Sequence, residues 1–236
     1  TPPSVLLQGV TLAMMFACRL SSGLLIASFG LWLLLRAPRR AVLVGLAGVL
    51  AYAPWAWYYH AIYDNLLGPS ISQLGFFTGR WRETLLPLLV SPDHGLLVYQ
   101  PWIMLSLALV VPSVRRCLQA APTELPAGWS WFCVAAIVPY LGLIASWYCW
   151  WGGQCWGSRL AVETVPFFAL LCLRPLAALR RLVWGRRLLL ATLLVGAFVQ
   201  LTGVYLKVDC RDTQPALFGA QPEPPGSWKH LPFLTP

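Results

Sequence analysis

The sequence predicts an all-α, polytopic integral membrane protein with about six or seven transmembrane or re-entrant helices. Three observations carry that reading. The 236 residues are 58% hydrophobic and only 11% charged, less than half the charged fraction of about 25% usual in soluble domains. Four runs, 41–59, 95–114, 125–158 and 188–206, contain no Asp, Glu, Lys or Arg. A helix needs about 20 residues to cross the hydrocarbon layer, so the first, second and fourth runs fit one span each and the third holds a span plus a non-spanning remainder. Finally, Arg36, Arg39, Arg40, Arg115, Arg116, Arg174, Arg180, Arg181, Arg186 and Arg187 fall in short loops that alternate with loops of mixed charge. That is the positive-inside pattern, which places the N-terminus in the cytoplasm.

The same distribution disposes of the formal charge of +9 as a sign of nucleic-acid binding, because these arginines set orientation. On the opposite side Asp64, Glu83, Asp93, Asp209, Asp212 and Glu223 stand beside Arg80, Arg82, Arg159, Lys207, Arg211 and Lys229 and cancel. The cysteines form no metal or redox spacing, since Cys149 and Cys155 are six apart and the others are scattered. Most read as small apolar residues within helices. Cys149, Cys155 and Cys210 share the extracytoplasmic side, where a disulfide to Cys210 could form.

Taken in order, the chain opens Thr1-Pro2-Pro3 with no Met and no basic stretch, so it reads as a chain entered midway. Residues 5–18 and 20–35 are apolar segments separated by Arg19 and a Ser21-Ser22-Gly23 turn, each short for a span. They are either tilted helices or a re-entrant pair, and Arg19 is either a snorkelling interfacial residue or part of a site. Residues 41–59 cross outward and end in Trp55, Trp57, Tyr58, Tyr59, His60 and Tyr63, an aromatic anchor. His60 and Asp64, one turn apart, are a catalytic pair or a loop hydrogen bond. An extracytoplasmic segment at 60–94 follows, with Phe76, Phe77, Trp81, Leu85, Leu86 and Leu89 interleaved with Arg80, Arg82 and Glu83 in the manner of an interfacial helix.

Ser91-Pro92-Asp93-His94-Gly95 leads into the next apolar run, and Ser91 or Asp93 is the expected helix cap. His94 and Asp93 would then stand at the mouth of a cavity. Residues 129–147 return outward to the densest stretch of the chain, Trp147-Tyr148-Cys149-Trp150-Trp151-Gly152-Gly153-Gln154-Cys155-Trp156-Gly157-Ser158-Arg159, followed by Glu163 and Pro166. Glycine permits sharp turns and close approach of a ligand to the backbone, and Trp and Tyr favour the membrane interface. An arginine there needs a partner, and Glu163, one turn on, is the nearest carboxylate in sequence. The stretch is either an aromatic belt with a turn and a surface ion pair or a site for an anionic headgroup. Residues 160–173 re-enter and 188–206 make the last crossing. The membrane domain thus covers 1–206, and 207–236 form a proline-rich extracytoplasmic tail.

Three patches resemble the bacterial GT-C class of polytopic membrane glycosyltransferases, the group of the protein mannosyltransferases and lipid A aminoarabinose transferases. Trp150-Trp151-Gly152-Gly153, Gly157-Ser158-Arg159 and Glu163 to Pro166 resemble the family's Trp-Trp-Gly-Gly block with its following Gly-Pro-Arg, acid and proline. Ser91-Pro92 with Gly95, Tyr99 and Pro101 is similar to its Ser-Pro block, and Cys18-Arg19-Leu20 stands where it has Thr-Arg-Pro. Ser158, His94 and Leu20 depart from the family's Pro, Arg and Pro.

The resemblance covers the C-terminal half of such a protein. It implies transfer of a sugar from a polyprenyl-phosphate donor to an extracytoplasmic acceptor, in a multi-pass protein of the bacterial cytoplasmic membrane. Under it Arg159, supported by Glu163, holds the donor phosphate, with Gly152, Gly153 and Gly157 offering backbone and Arg19 and His94 nearby. Trp150, Trp151 and Trp156 stack on the sugar or line the lipid entrance. Asp64 and Asp93 are the candidates for the base that activates the acceptor hydroxyl. The family's usual catalytic aspartate would lie upstream of Thr1. A divalent cation is compatible with this chemistry, and no nucleic acid is implied. The partners are membrane lipids, the lipid-linked sugar and other membrane subunits. The competing reading is a noncatalytic subunit of a larger complex on a truncated scaffold of this class; few buried acids argue against an ion-coupled transporter.

Overall fold

A computed structural model describes residues 2–68, 77, 79–91, 94–108, 129–150 and 159–205. These are mostly helical, and the only sheet-like pairing among them is an isolated antiparallel bridge between Phe77 and Trp147. The helices are α1 (Pro2–Cys18), α2 (Gly23–Arg36), α3 (Pro38–Tyr63), α4 (Trp81–Val90), α5 (Leu96–Tyr99), α6 (Pro101–Ala108), α7 (Trp129–Ser146), α8 (Val165–Arg180) and α9 (Val183–Tyr205). Two 3₁₀ turns, Leu20–Ser22 and Ala161–Thr164, join α1 to α2 and lead into α8.

Among the described residues, three helices are long and apolar enough to cross a membrane: Pro38–Tyr63, Trp129–Ser146 and Val183–Thr202. The chain is a membrane protein on that evidence. Shorter apolar helices, Ser4–Cys18, Leu20–Arg36 and Ala161–Leu173, accompany them. At 1.5 Å per residue α2 is about 21 Å long, against about 30 Å of hydrocarbon.

The organising element is α7. Phe132, Cys133, Ala136, Ile137, Tyr140, Leu141, Ile144 and Ala145 recur at helical spacing and are all buried, so one face of α7 is the spine of the core. Trp131 and Val138 lie on the other face and are exposed. Both faces are apolar. Only the pattern of contacts separates the face that meets protein from the face that meets lipid.

Side-chain pairings fix the helix directions. Trp32 meets Trp129 with ring centroids 5.2 Å apart, the Ser28 hydroxyl lies 3.1 Å from the Ala135 carbonyl, and Ser21 lies 3.4 Å from the Tyr140 hydroxyl. Hence α2 is antiparallel to α7. Phe132 meets Phe167 at 5.8 Å and Tyr140 meets Glu163, so α8 is antiparallel to α7 as well. Arg40 donates to Gln8 at 3.3 Å, Phe16 meets Tyr52 at 5.2 Å and Tyr59 donates to the Ala17 carbonyl at 2.9 Å, which makes α1 parallel to α3. The outcome is a bundle with two chemically different ends. The arginines at the C-termini of α2 and α8 and the N-termini of α3 and α9 gather at one end. Asp64, Glu83 and Glu163, the described carboxylates, belong to the other: Asp64 caps the far end of α3, Glu163 lies by Tyr140, and α4 is tied through Thr84 to the Ala145 carbonyl.

Several local expectations need correction. Residues 95–114 do not begin as one straight span, since α5 is a single turn and the chain breaks at Gln100, before Pro101. A residue preceding proline is pushed out of the helical region, and Gln100 takes φ −132°, ψ 64°. Asp93 lies outside the described residues, and Ser91 is not the N-cap of α5. That position falls to Gly95, without a side-chain cap bond, and the Gly95 N–H instead bonds the Ser91 carbonyl at 2.7 Å. The interfacial helix exists as α4, but its Leu85, Leu88 and Leu89 join the core around α7, so it is docked onto the bundle as well as amphipathic. Cys133 and Cys172 are buried small residues, as their spacing suggested. Of the suggested disulfide partners, Cys155 and Cys210 lie outside the described residues.

The α1–α3 contact depends on missing side chains. A Cβ at Gly9 would sit 2.6 Å from the Ala47 Cβ and 2.8 Å from the Gly48 nitrogen, whereas one at Gly45 would meet nothing within 4 Å. Close backbone approach of this kind drives helix association where lipid offers no hydrophobic gain. Gly9→Leu therefore pushes α1 off α3 and costs about 1–3 kcal/mol, the usual range for overpacking. Gly45→Leu leaves stability unchanged. Unfolding of the detergent-solubilised protein by a denaturing detergent, followed by circular dichroism, separates the two.

Candidate functional site

The polar centre of the bundle lies where α1 turns into α2. Arg19 leaves the helix with φ −154°, ψ 120°, and its guanidinium Nη1 reaches Glu163 Oε1 at 2.5 Å. The other carboxylate oxygen accepts from the Tyr140 hydroxyl at 2.7 Å and from Ser22 Oγ at 3.2 Å. Tyr140 also lies 3.2 Å from the Leu160 carbonyl, but a phenol has one proton and the nearer, charged acceptor takes it. Glu163 is thus held by three donors from two separate parts of the chain, the Arg19–Ser22 turn and α7.

The Glu163 side chain is 17% exposed and that of Arg19 32%, so both charges are largely withdrawn from solvent. A carboxylate in such surroundings is costly unless paired and hydrogen-bonded, and here it is both. Arg19 is a structural counter-ion as well as a candidate ligand. Sequence proximity had pointed to Arg159 as the partner of Glu163. Arg159 is exposed and makes no ion pair among the described residues. The reason is geometric: the 3₁₀ turn 161–164 aims Glu163 inward at Tyr140, away from the Arg159 side.

The other predicted residues divide clearly. Trp150 is buried, and Leu160 and Ala161 share its core with Leu96 and Leu25, which lie just after His94-Gly95 and the Arg19 turn. His94 is buried at the start of this core. Arg19 and Glu163 therefore meet at Tyr140, and Leu96, just after His94-Gly95, shares the buried core around α7 with Trp150, Leu160 and Ala161. Asp64 does not join them. It is exposed, adopts φ 53° and closes α3 through its backbone N–H to the His60 carbonyl at 3.1 Å, so the His60–Asp64 pairing is a helix C-cap. Trp151, Gly152, Gly153, Trp156, Gly157 and Asp93 lie outside the described residues.

Sequence reasoning missed Tyr140 and Ser22. Tyr140 sits in an apolar run where an aromatic is unremarkable, and only its 23-residue separation from Glu163 across a turn brings them together. Among the described residues no three His, Cys, Asp or Glu side chains gather as a metal set. With Glu163 held by Arg19 and Asp64 alone at a helix end, the described residues do not fit a divalent cation. Comparisons with protein-family models, with curated proteins and with solved structures find no match to this chain.

Truncating one partner strands the other in a poorly solvated place. Glu163→Leu is expected to lower stability by about 1–3 kcal/mol, and the double change Arg19→Leu/Glu163→Leu to recover most of that loss. A double-mutant cycle of detergent unfolding measures the coupling. A double variant no more stable than the single one would show the pair to be energetically silent.

Proposed function

We propose that this chain is a GT-C-like membrane glycosyltransferase unit that binds a polyprenyl-phosphate sugar at the Glu163 end of the bundle, for transfer to an extracytoplasmic acceptor. The observation that supports it is the meeting of Arg19 and Glu163 at Tyr140, 144 positions apart in the chain, with Leu96, just after His94-Gly95, in the same buried core as Trp150. The reading includes about six or seven membrane segments in the bacterial cytoplasmic membrane. It places the arginine end and N-terminus in the cytoplasm and the C-terminal tail outside, as the positive-inside rule requires.

In this reading Arg159 is the donor-phosphate ligand because no described carboxylate neutralises it. A guanidinium offers paired N–H groups that match two phosphate oxygens. The Glu163 network acts differently, by fixing the segment that carries Arg159 against α7 and the Arg19 turn. Binding energy spent on the phosphate would then orient the sugar carbon toward an acceptor.

A second reading, a noncatalytic membrane subunit, draws on one specific feature. The Glu163 carboxylate is neutralised by Arg19 and held by Tyr140 and Ser22, so it is not poised to accept a proton from a hydroxyl. Binding and transfer assays separate the readings. With protein in bilayer nanodiscs, Arg159→Ala is expected to weaken binding of a polyprenyl phosphate at least about tenfold, the loss of one charge-assisted contact, and Arg159→Lys to fall between. Unaltered binding in Arg159→Ala would remove the basis of the proposal. Full binding with no transfer from a sugar-loaded donor would select the subunit.

A further inference from the structure

A second site lies away from the Glu163 end. From the Arg19 turn, α1 goes on to pack mainly against α3 while α2 packs against α7, and a cavity of about 350 Å³ opens between them. That volume falls in the range of ligand sites, about 300–1,000 Å³. Its walls include Leu7, Gln8, Thr11 and Met15 of α1, Phe29 of α2 and Phe132 of α7. Leu7 to Met15 covers about 12 Å along one face of α1.

The chemistry of the walls narrows the occupant. Thr11 and Gln8 are the polar side chains among them, and both are engaged: the Thr11 hydroxyl donates to the Leu7 carbonyl at 2.8 Å, and Gln8 Oε1 accepts from Arg40 at 3.3 Å. Water held there would lack the two to four polar partners it needs. The cavity suits a hydrocarbon chain.

One end of it is cationic. Arg40 is joined to the cavity through Gln8, and Arg36 stacks 5.7 Å from the ring centroid of Trp32, which in turn contacts Phe29 at 6.1 Å and Phe132 at 5.5 Å. All three described carboxylates stand at the opposite end of the bundle. Basic clusters between helices at a membrane face are suited to anionic lipid headgroups.

We propose that the opening between α1 and α2 binds one acyl chain of an anionic glycerophospholipid, with the lipid phosphate held at the Arg36 and Arg40 end. The lipid would come from the leaflet facing the arginine end, opposite the proposed sugar-donor site, and the proposal stands whether or not that donor reading holds. Such a lipid would fill the divergence of α1 and α2 and steady the hairpin that carries Arg19.

The test uses the wild-type chain in phosphatidylcholine bilayers containing trace phosphatidylglycerol with a photoreactive acyl chain. Crosslinks are expected to concentrate on the cavity residues of α1 and α2 over Val49 and Leu50 on the bare face of α3, 70% and 73% exposed. Unlabelled phosphatidylglycerol should displace the label roughly tenfold better than phosphatidylcholine. Evenly spread crosslinks, equal competition by phosphatidylcholine, or protein–protein crosslinks at the cavity would overturn the proposal. Arg36→Gln/Arg40→Gln should abolish the preference, while Arg186→Gln/Arg187→Gln, the same charge loss on α9 away from the cavity, should keep it. Equal loss in both pairs would mean a diffuse surface potential and no site. If the first pair fails to fold, the wild-type competition decides alone.

Discussion

The carboxylate of Glu163 is the constraint on which the rest of the bundle depends. In an apolar interior a charge survives only with its donors in place, so Arg19, Tyr140 and Ser22 must all arrive at the same point. Their arrival specifies how the α1–α2 hairpin meets α7 and how the chain re-enters toward α8. Apolar contacts alone specify such geometry loosely, since lipid tails and leucine side chains are nearly equivalent neighbours. A directed ion pair with two further hydrogen bonds has far fewer acceptable arrangements.

Function follows from the same division of labour. Because Arg19 satisfies Glu163, the exposed guanidinium of Arg159 remains open to an external anion. At the other end of the bundle, charge is left uncompensated again, by Arg36 and Arg40, and there it borders a hydrocarbon-lined opening. On the two proposals the ends pose different problems of recognition: phosphate with sugar at one, phosphate with acyl chain at the other. Glycine supplies the remaining freedom. Gly9 lets α1 lie directly on α3, which frees the α1–α2 side to open.

Much of the fold was legible from charge alone. The run 41–59 lies within α3, 129–147 is α7 nearly to the residue, and 188–206 is the body of α9. These succeeded because a run without charges is itself the physical requirement for a membrane helix. The failures have local causes. The break at Gln100-Pro101 follows from proline chemistry acting on a residue whose composition looks continuous with its span. The cap at Gly95 reflects a tight Ser91–Gly95 turn that a capping pattern does not reveal. Asp64 ends α3 in the left-handed conformation, a backbone role that leaves no distinct signature in an Asp and does not engage its exposed carboxylate.

By itself the sequence determined that this is a helical membrane protein, where its longest helices run, and which few charged residues stand in its apolar stretches. Those are matters of composition and spacing, readable one segment at a time. Only the tertiary structure decided which charge answers which: Glu163 belongs to Arg19, 144 positions away in sequence, and not to the arginine one turn before it. Helix periodicity states which residues share a face, but in a chain that is apolar on every face it cannot state which face meets a neighbour. That choice is made by packing between segments.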